Sequence, residues 1–168
     1  MPLSPPVDSR FLLRVPSPLG RLELRADDDA VTWLSIERHG ALPGDGSQER
    51  SSALLEQAAA ELDEYFAGDR RAFDVPVRWK GTPFQQSVWE VLRGVDYGDA
   101  LTYGAIGRMT GRPTAGRAIG GAVGANPVPI LVPCHRVLAS DGRITGYSAG
   151  SGVPTKVLLL DLEGIAHR

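Results

Sequence analysis

After Asn126 the chain reads Pro127-Val128-Pro129-Ile130-Leu131-Val132-Pro133-Cys134-His135-Arg136-Val137. Three prolines in seven residues fix φ and remove backbone donors, so this stretch is a stiff, non-helical loop. The loop presents Cys134 with His135 beside it. Cys134 is the only cysteine, which excludes an intramolecular disulfide. A cysteine-rich zinc site is excluded as well, because the other soft ligands are only His39, His135 and His167. A lone cysteine reads most simply as a small buried apolar side chain. A nucleophilic one needs a thiolate and a nearby base or positive charge. Adjacency of Cys and His does not decide between these, since neighbours in sequence need not point together.

Before this loop the chain changes character. Phe11-Leu12-Leu13-Arg14-Val15, Leu22-Glu23-Leu24-Arg25 and Val31-Thr32-Trp33-Leu34-Ser35-Ile36 read as three strands, with Pro16–Gly20 as a hairpin turn. A helix is predicted from Ser52 to Ala67, with Leu55, Ala58, Leu62, Tyr65 and Phe66 on one face and Gly68 as the stop. Phe73–Val77 reads as a further short strand. From residue 81 the pattern is helical. Thr82-Pro83-Phe84-Gln85 has the cap, the first-position proline and the capping-box Gln of a helix start. Thr102 caps a second helix over Tyr103–Thr110, and Gly111-Arg112-Pro113 turns into a third over Thr114–Gly124. A last helix runs from Pro154 to Gly164, with Val157, Leu158, Leu160 and Leu162 as core. The reading is an α+β fold. It has a flexible lead-in over 1–10, a small N-terminal α/β unit over 11–80, and a mainly helical domain with a helix-turn-helix over 81–168.

The third helix carries an unusual face. At 100° per residue, Ala115, Ala118, Ile119, Ala122 and Val123 form an apolar stripe. Opposite lie Gly116, Arg117, Gly120, Gly121 and Gly124. Four glycines on a helix face cost roughly 1 kcal/mol each relative to alanine. Glycine admits close approach of another backbone, either a neighbouring element of the same chain or a nucleic acid. Near the end of the chain, Glu163 sits in the last helical turn, where the dipole disfavours an anion. It is either solvated or held by a cationic partner.

Net charge is −2, unlike that of a typical nucleic-acid binder. The halves differ: residues 1–79 carry nine basic and fourteen acidic side chains, giving −5, and residues 80–168 carry nine and six, giving +3. Any DNA contact is expected in the second half. No apolar run spans a membrane, and no secretion signal precedes the fold, so a cytoplasmic location is expected.

Gly81-Thr82-Pro83-Phe84-Gln85, Val88-Trp89, Tyr97-Gly98, Thr102-Tyr103-Gly104, Arg117-Ala118-Ile119-Gly120, Asn126-Pro127, Pro133-Cys134-His135-Arg136-Val137, Gly146-Tyr147 and Leu162-Glu163-Gly164 occur in this order. Order and spacing resemble the C-terminal domain of the O6-alkylguanine-DNA alkyltransferases. The resemblance implies a direct-reversal DNA repair activity that moves an alkyl group from O6-alkylguanine, and O4-alkylthymine, in double-stranded DNA to Cys134. Each molecule would act once, as a monomer without cofactor or metal. It implies that Cys134 is the acceptor thiolate, that His135 acts through water as its base, and that Glu163 orients His135. A thiol so activated is expected below its free pKa of about 8.5. Tyr103 would push on the target phosphate and protonate the leaving guanine, and Arg117 would fill the vacated base stack. Asn126 would tie the recognition helix to the cysteine loop. Gly116, Gly120, Gly121, Gly124 and Thr102 would meet DNA in the minor groove. Val137, Tyr147, Ser148 and Pro129 would frame the flipped base.

Gly116 replaces an alanine common in such proteins, and the loop Ala149–Thr155 is somewhat longer than in them. Three other readings compete. One is a non-catalytic lesion-binding relative, which would lack the cysteine. Another is a cysteine hydrolase using Cys134, His135 and Glu163. The third is a transcription factor, whose recognition face would need base-reading side chains rather than glycine.

Overall fold

The computed structural model describes residues 4–6 and 9–168. Residues 1–3, 7 and 8 of the expected lead-in lie outside the described residues. Strands β1 (Phe11–Val15), β2 (Leu22–Ala26) and β3 (Val31–Ile36) form an antiparallel sheet in chain order. Leu13 pairs with Leu24, and Leu24 with Leu34, so their side chains share one face of the sheet. Helix α1 (Ala53–Phe66) packs against that sheet. It starts at Ser52, whose side chain accepts from the Leu55 amide at 3.3 Å. Its buried stripe is Leu55, Ala58, Leu62 and Tyr65, as the periodicity predicts, with Glu61 buried beside it.

The strand expected over Phe73–Val77 does not form. Only a bridge between Val31 and Val77 remains. Pro76 has no N–H to donate, and Glu61 Oε2 takes the amides of Asp74 and Val75 at 2.9 and 3.1 Å.

The second half begins with α2 (Pro83–Arg93), closed by the complete Thr82/Gln85 capping box. Helix α3 (Tyr103–Met109) is capped by Thr102, and α4 (Gly116–Gly124) follows after a tight turn. Helix α4 starts later than the expected Thr114, with Ala115 as an N-cap that offers no side-chain acceptor. A pair of two-residue strands escapes sequence reading because it is too short for periodicity: β4 (Leu101–Thr102) lies parallel to β5 (Val137–Leu138). It joins the start of α3 to the chain just after the cysteine turn. Helix α5 (Val153–Glu163) ends on Gly164 at φ 69°, the left-handed conformation suited to glycine.

One cluster of buried side chains crosses both halves, with Leu24, Leu55, Trp89, Ile119, Val132 and Leu159 among its members. The sheet also bonds directly to the proline loop, where the Leu34 amide donates to the Pro127 carbonyl at 3.0 Å.

Helix α4 docks through Ile119, Ala122 and Val123 against α2 and α3. Trp89 Nε1 donates to the Ala122 carbonyl at 2.8 Å. Ala118, expected on this face, is exposed, and Ala115 is half-buried. On α3, Gly107 lets the turn that follows approach closely. A Cβ there would fall 2.8 Å from the Arg112 carbonyl oxygen. Gly107→Ala is therefore expected to cost about 1–3 kcal/mol of stability by overpacking. Gly120→Ala, whose Cβ would meet nothing within 4 Å, should be neutral or stabilising by up to about 1 kcal/mol. Chemical denaturation of both variants checks this, and the reverse order of stabilities would refute it.

Candidate active site

The proline loop is held in place by one side chain. Asn126 Nδ2 donates to the Val132 carbonyl at 2.7 Å, and its Oδ1 accepts from the Val128 amide at 3.0 Å. Between them, buried Ile130 adopts φ 73°. A β-branched residue in this region is strained by about 1–3 kcal/mol and persists only where its surroundings over-determine it. The loop then enters a single 3-10 turn, Cys134–Arg136, whose three side chains are all buried.

Cys134 borders a cavity of about 460 Å³ that also touches Tyr103, Gly116, Gly120, Val123, Gly124 and, from the opposite side, Thr145–Ser148 and Lys156. The bare face of α4 is one wall. Cβ atoms at Gly116, Gly120 and Gly121 would meet nothing within 4 Å, and one at Gly124 would only touch Ser148 Oγ at 3.8 Å. Close packing within the chain therefore does not explain these glycines. The Ser148 hydroxyl donates to the Gly124 carbonyl at 2.6 Å and joins the two walls. Tyr103 Oη accepts from Thr145 Oγ1 at 3.0 Å, so its hydroxyl stands at the rim.

The residues expected to act together separate into two layers. Tyr103, Gly116, Gly120, Gly124, Tyr147 and Ser148 line the cavity with Cys134. Arg117 and Gly121 lie exposed on α4 outside it, and Thr102 serves as the α3 cap. His135 and Glu163 are buried beneath. Two expected pocket residues do not line the cavity. Pro129 borders a neighbouring groove. The Val137 carbonyl, expected to frame the base, instead accepts from Lys156 Nζ at 2.6 Å.

In the lower layer, His135 Nε2 is 2.8 Å from Glu163 Oε1. Arg136 grips the same carboxylate with Nε and Nη2, each at 2.8 Å, and its Nη1 donates to the Val95 carbonyl at 2.5 Å. Tyr65 Oη donates to Glu163 Oε1 at 2.7 Å. Burial alone would raise the Glu163 pKa, but the bonds from His135, Arg136 and Tyr65 outweigh it and hold the carboxyl at about 2. The solvated reading of Glu163 is thus overturned. Burial pushes the His135 pKa down, so the ring is neutral. Facing a carboxylate, Nε2 carries the proton. Nδ1 is then a free acceptor and has no protein partner among the described residues.

The thiol itself departs from expectation. Burial pushes the Cys134 pKa above its ordinary value, not below it, against the weaker lowering pull of Asn126, Tyr147 and Lys156. Sγ donates toward Tyr147 Oη at 4.0 Å. Lys156 escapes sequence reading, because a lysine on a helix reads as exposed. It is buried and bonds only to the Val137 and Gly146 carbonyls. Arg136 and Glu163 neutralise each other, so among the described residues Lys156 is the buried cation near Sγ without a carboxylate partner.

Family profiles match both halves of the chain. The 6-O-methylguanine DNA methyltransferase DNA binding domain covers residues 83–165, and the ribonuclease-like domain of the same family covers 14–79. The Bacillus subtilis constitutive methylated-DNA–protein-cysteine methyltransferase is 38% identical over 156 residues, covering 90% of this chain and 94% of the relative. The Haemophilus influenzae protein of that name is 37% identical over 154 residues, covering 90% and 85%.

The chain belongs to the 6-O-methylguanine DNA methyltransferase family.

Among solved structures, the Mycobacterium tuberculosis O6-methylguanine methyltransferase superposes with a TM-score of 0.81 at 37% identity, covering 91% of this chain and 92% of that one. The same mycobacterial protein in complex with DNA superposes equally well, at 38% identity. In a methyltransferase of this family a buried cation beside the thiol has a definite consequence. Lys156 lowers the cost of forming the thiolate, so Lys156→Met should move Cys134 reactivity to higher pH. The rate of iodoacetamide labelling against pH, on folded protein, reads this shift. An unchanged or downward-shifted profile would remove Lys156 from the electrostatics of the thiol.

Proposed function

We propose that this protein repairs DNA by moving the alkyl group of O6-alkylguanine, and of O4-alkylthymine, onto its own Cys134. The observation that carries the proposal is the cavity itself. The sole cysteine sits in a pocket one of whose walls is the side-chain-free face of α4. A glycine face lets a helix approach a DNA backbone closely, and the minor groove suits such a bare face. The α3–turn–α4 unit acts as the helix-turn-helix, with Arg117 the only long side chain on the docking face.

The O6 substituent is out of reach in a stacked duplex, so the nucleotide rotates out into the cavity. Arg117 takes its place in the stack and offsets part of the unstacking cost. His135 Nδ1 accepts the Cys134 proton through a water, while Glu163 holds the ring and favours the imidazolium. Sγ attacks the alkyl carbon in line. The C–S bond forms as the C–O6 bond breaks, and the bond pair leaves with guanine. Tyr103 donates a proton to the departing base, which offsets its developing charge. A thioether is stable, so each molecule acts once and is consumed.

A cysteine hydrolase fits less well. It needs imidazole within hydrogen-bond reach of the thiol, whereas here Sγ has Tyr147 as its polar neighbour and His135 Nε2 is committed to Glu163.

Cys134→Ser should abolish transfer from labelled O6-methylguanine DNA while the protein still folds and binds duplex. Full labelling of the Ser variant would end the assignment. Arg117→Ala should slow duplex repair by about tenfold, equivalent to about 1.4 kcal/mol of unstacking cost left uncovered. The same variant should react normally with free O6-benzylguanine, which needs no flipping. Equal losses on both substrates would assign Arg117 a structural role instead. Gly120→Leu should fold normally yet lose duplex affinity in a filter-binding or fluorescence assay. Wild-type affinity would remove α4 from the DNA interface.

A further inference from the structure

Of the four side-chain hydrogen bonds that Glu163 accepts, three come from the turn that carries Cys134. The fourth comes from Tyr65 in the last turn of α1, 98 residues away in sequence and in the other half of the chain. Charge balance does not require it, because Arg136 already neutralises the carboxylate. Nor does Tyr65 lack a reason to be buried, since its ring sits among Phe66, Phe73 and Tyr97, with centroids 5.3, 5.3 and 6.1 Å away. What the hydroxyl adds is direction. It meets Oε1, the same oxygen that His135 Nε2 and Arg136 Nη2 address. Three donors converging on one oxygen fix the rotation of the carboxylate, and with it the lone pair that faces His135. The phenol is fully buried, so it stays protonated and acts as a donor throughout the working range.

We propose that Tyr65 is a positioning residue for alkyl transfer, through which the N-terminal half holds Glu163 against His135. This rests on the alkyl-transfer reading above. It gives the N-terminal sheet-and-helix unit a part in the chemistry: α1 delivers one of the groups that define the base's geometry. The register of α1 on the sheet, set by Leu55, Ala58 and Leu62, decides where that hydroxyl stands.

Tyr65→Phe in the full chain keeps the ring and removes only the donor. Transfer from free O6-benzylguanine should slow by about tenfold, the loss expected from one hydrogen bond to a charged group. Duplex affinity should not change. Because Tyr65 acts through His135, the same substitution should cost nothing further in a His135→Ala background. Placing 4-aminophenylalanine at position 65, which restores a donor on the same ring, should recover the rate. Rates are compared below the melting temperature of the least stable variant, so that a loss of fold is not read as a loss of chemistry. A merely structural role predicts lower melting temperatures with unchanged rates per folded molecule, and that result would overturn the assignment. So would equal, multiplicative slowing in both backgrounds. A full-rate Tyr65→Phe beside a slowed His135→Ala overturns this assignment alone. A full-rate His135→Ala overturns the relay, and this assignment with it.

Discussion

A carboxylate removed from water costs several kcal/mol unless it is paired and fully hydrogen-bonded. Glu163 meets that condition through three side chains from two elements. Arg136 grips it from the cysteine turn, His135 from the same turn, and Tyr65 from α1. The Gly98 amide adds a longer contact at 3.4 Å. Each donor constrains the others. Arg136 also reaches the Val95 carbonyl after α2, and Tyr97 bonds to the Leu162 carbonyl of α5. The carboxylate therefore sets the positions of the 3-10 turn, the α2–β4 connection and the end of α5 relative to α1. Cys134 is placed by that frame from below and by the Asn126 clamp from above.

The other organising feature is what α4 lacks. Its buried stripe docks it firmly on α2 and α3, while the opposite face is bare and open. The glycines give up intrinsic helix stability in exchange for a surface that another backbone can approach. The same helix forms a wall of the cavity that Cys134 borders, so on the proposed reading the docking surface and the acceptor sulfur lie on either side of one pocket. The Ser148–Gly124 bond and the parallel β4–β5 pair tie in the far wall and Tyr103.

Much of this was legible in the sequence, and the gaps have physical causes. Caps at Thr82 and Thr102, the α1 stripe and the α4 glycine face are local signals, and each lies where the pattern puts it. Reading α5 by hydrophobicity finds Leu160 and Leu162 but misses part of the buried face. Leu158, expected in the core, is exposed, while Lys156, Leu159, Leu160 and Glu163 point inward. Those four share a helical face at i, i+3, i+4 and i+7, but two are charged, and only their distant partners justify burying them. Tyr65 was read correctly as core, yet its hydroxyl partner lies 98 residues away, beyond any local pattern. The direction of the Cys134 shift was misread for a similar reason. The expected lowering rests on a relay through His135 and Glu163, whereas burial dominates at the thiol and His135 Nε2 is turned to Glu163.

The central claim is that Cys134 is the final acceptor of the alkyl group. Mass spectrometry of the intact protein after incubation with excess duplex DNA containing O6-methylguanine tests it most directly. The account predicts that every active molecule gains the mass of one methyl group in place of a proton, that peptide fragmentation places it on Cys134, and that the modified protein repairs no further DNA. Repaired DNA together with unmodified protein, or a methyl group on any other residue, would contradict it.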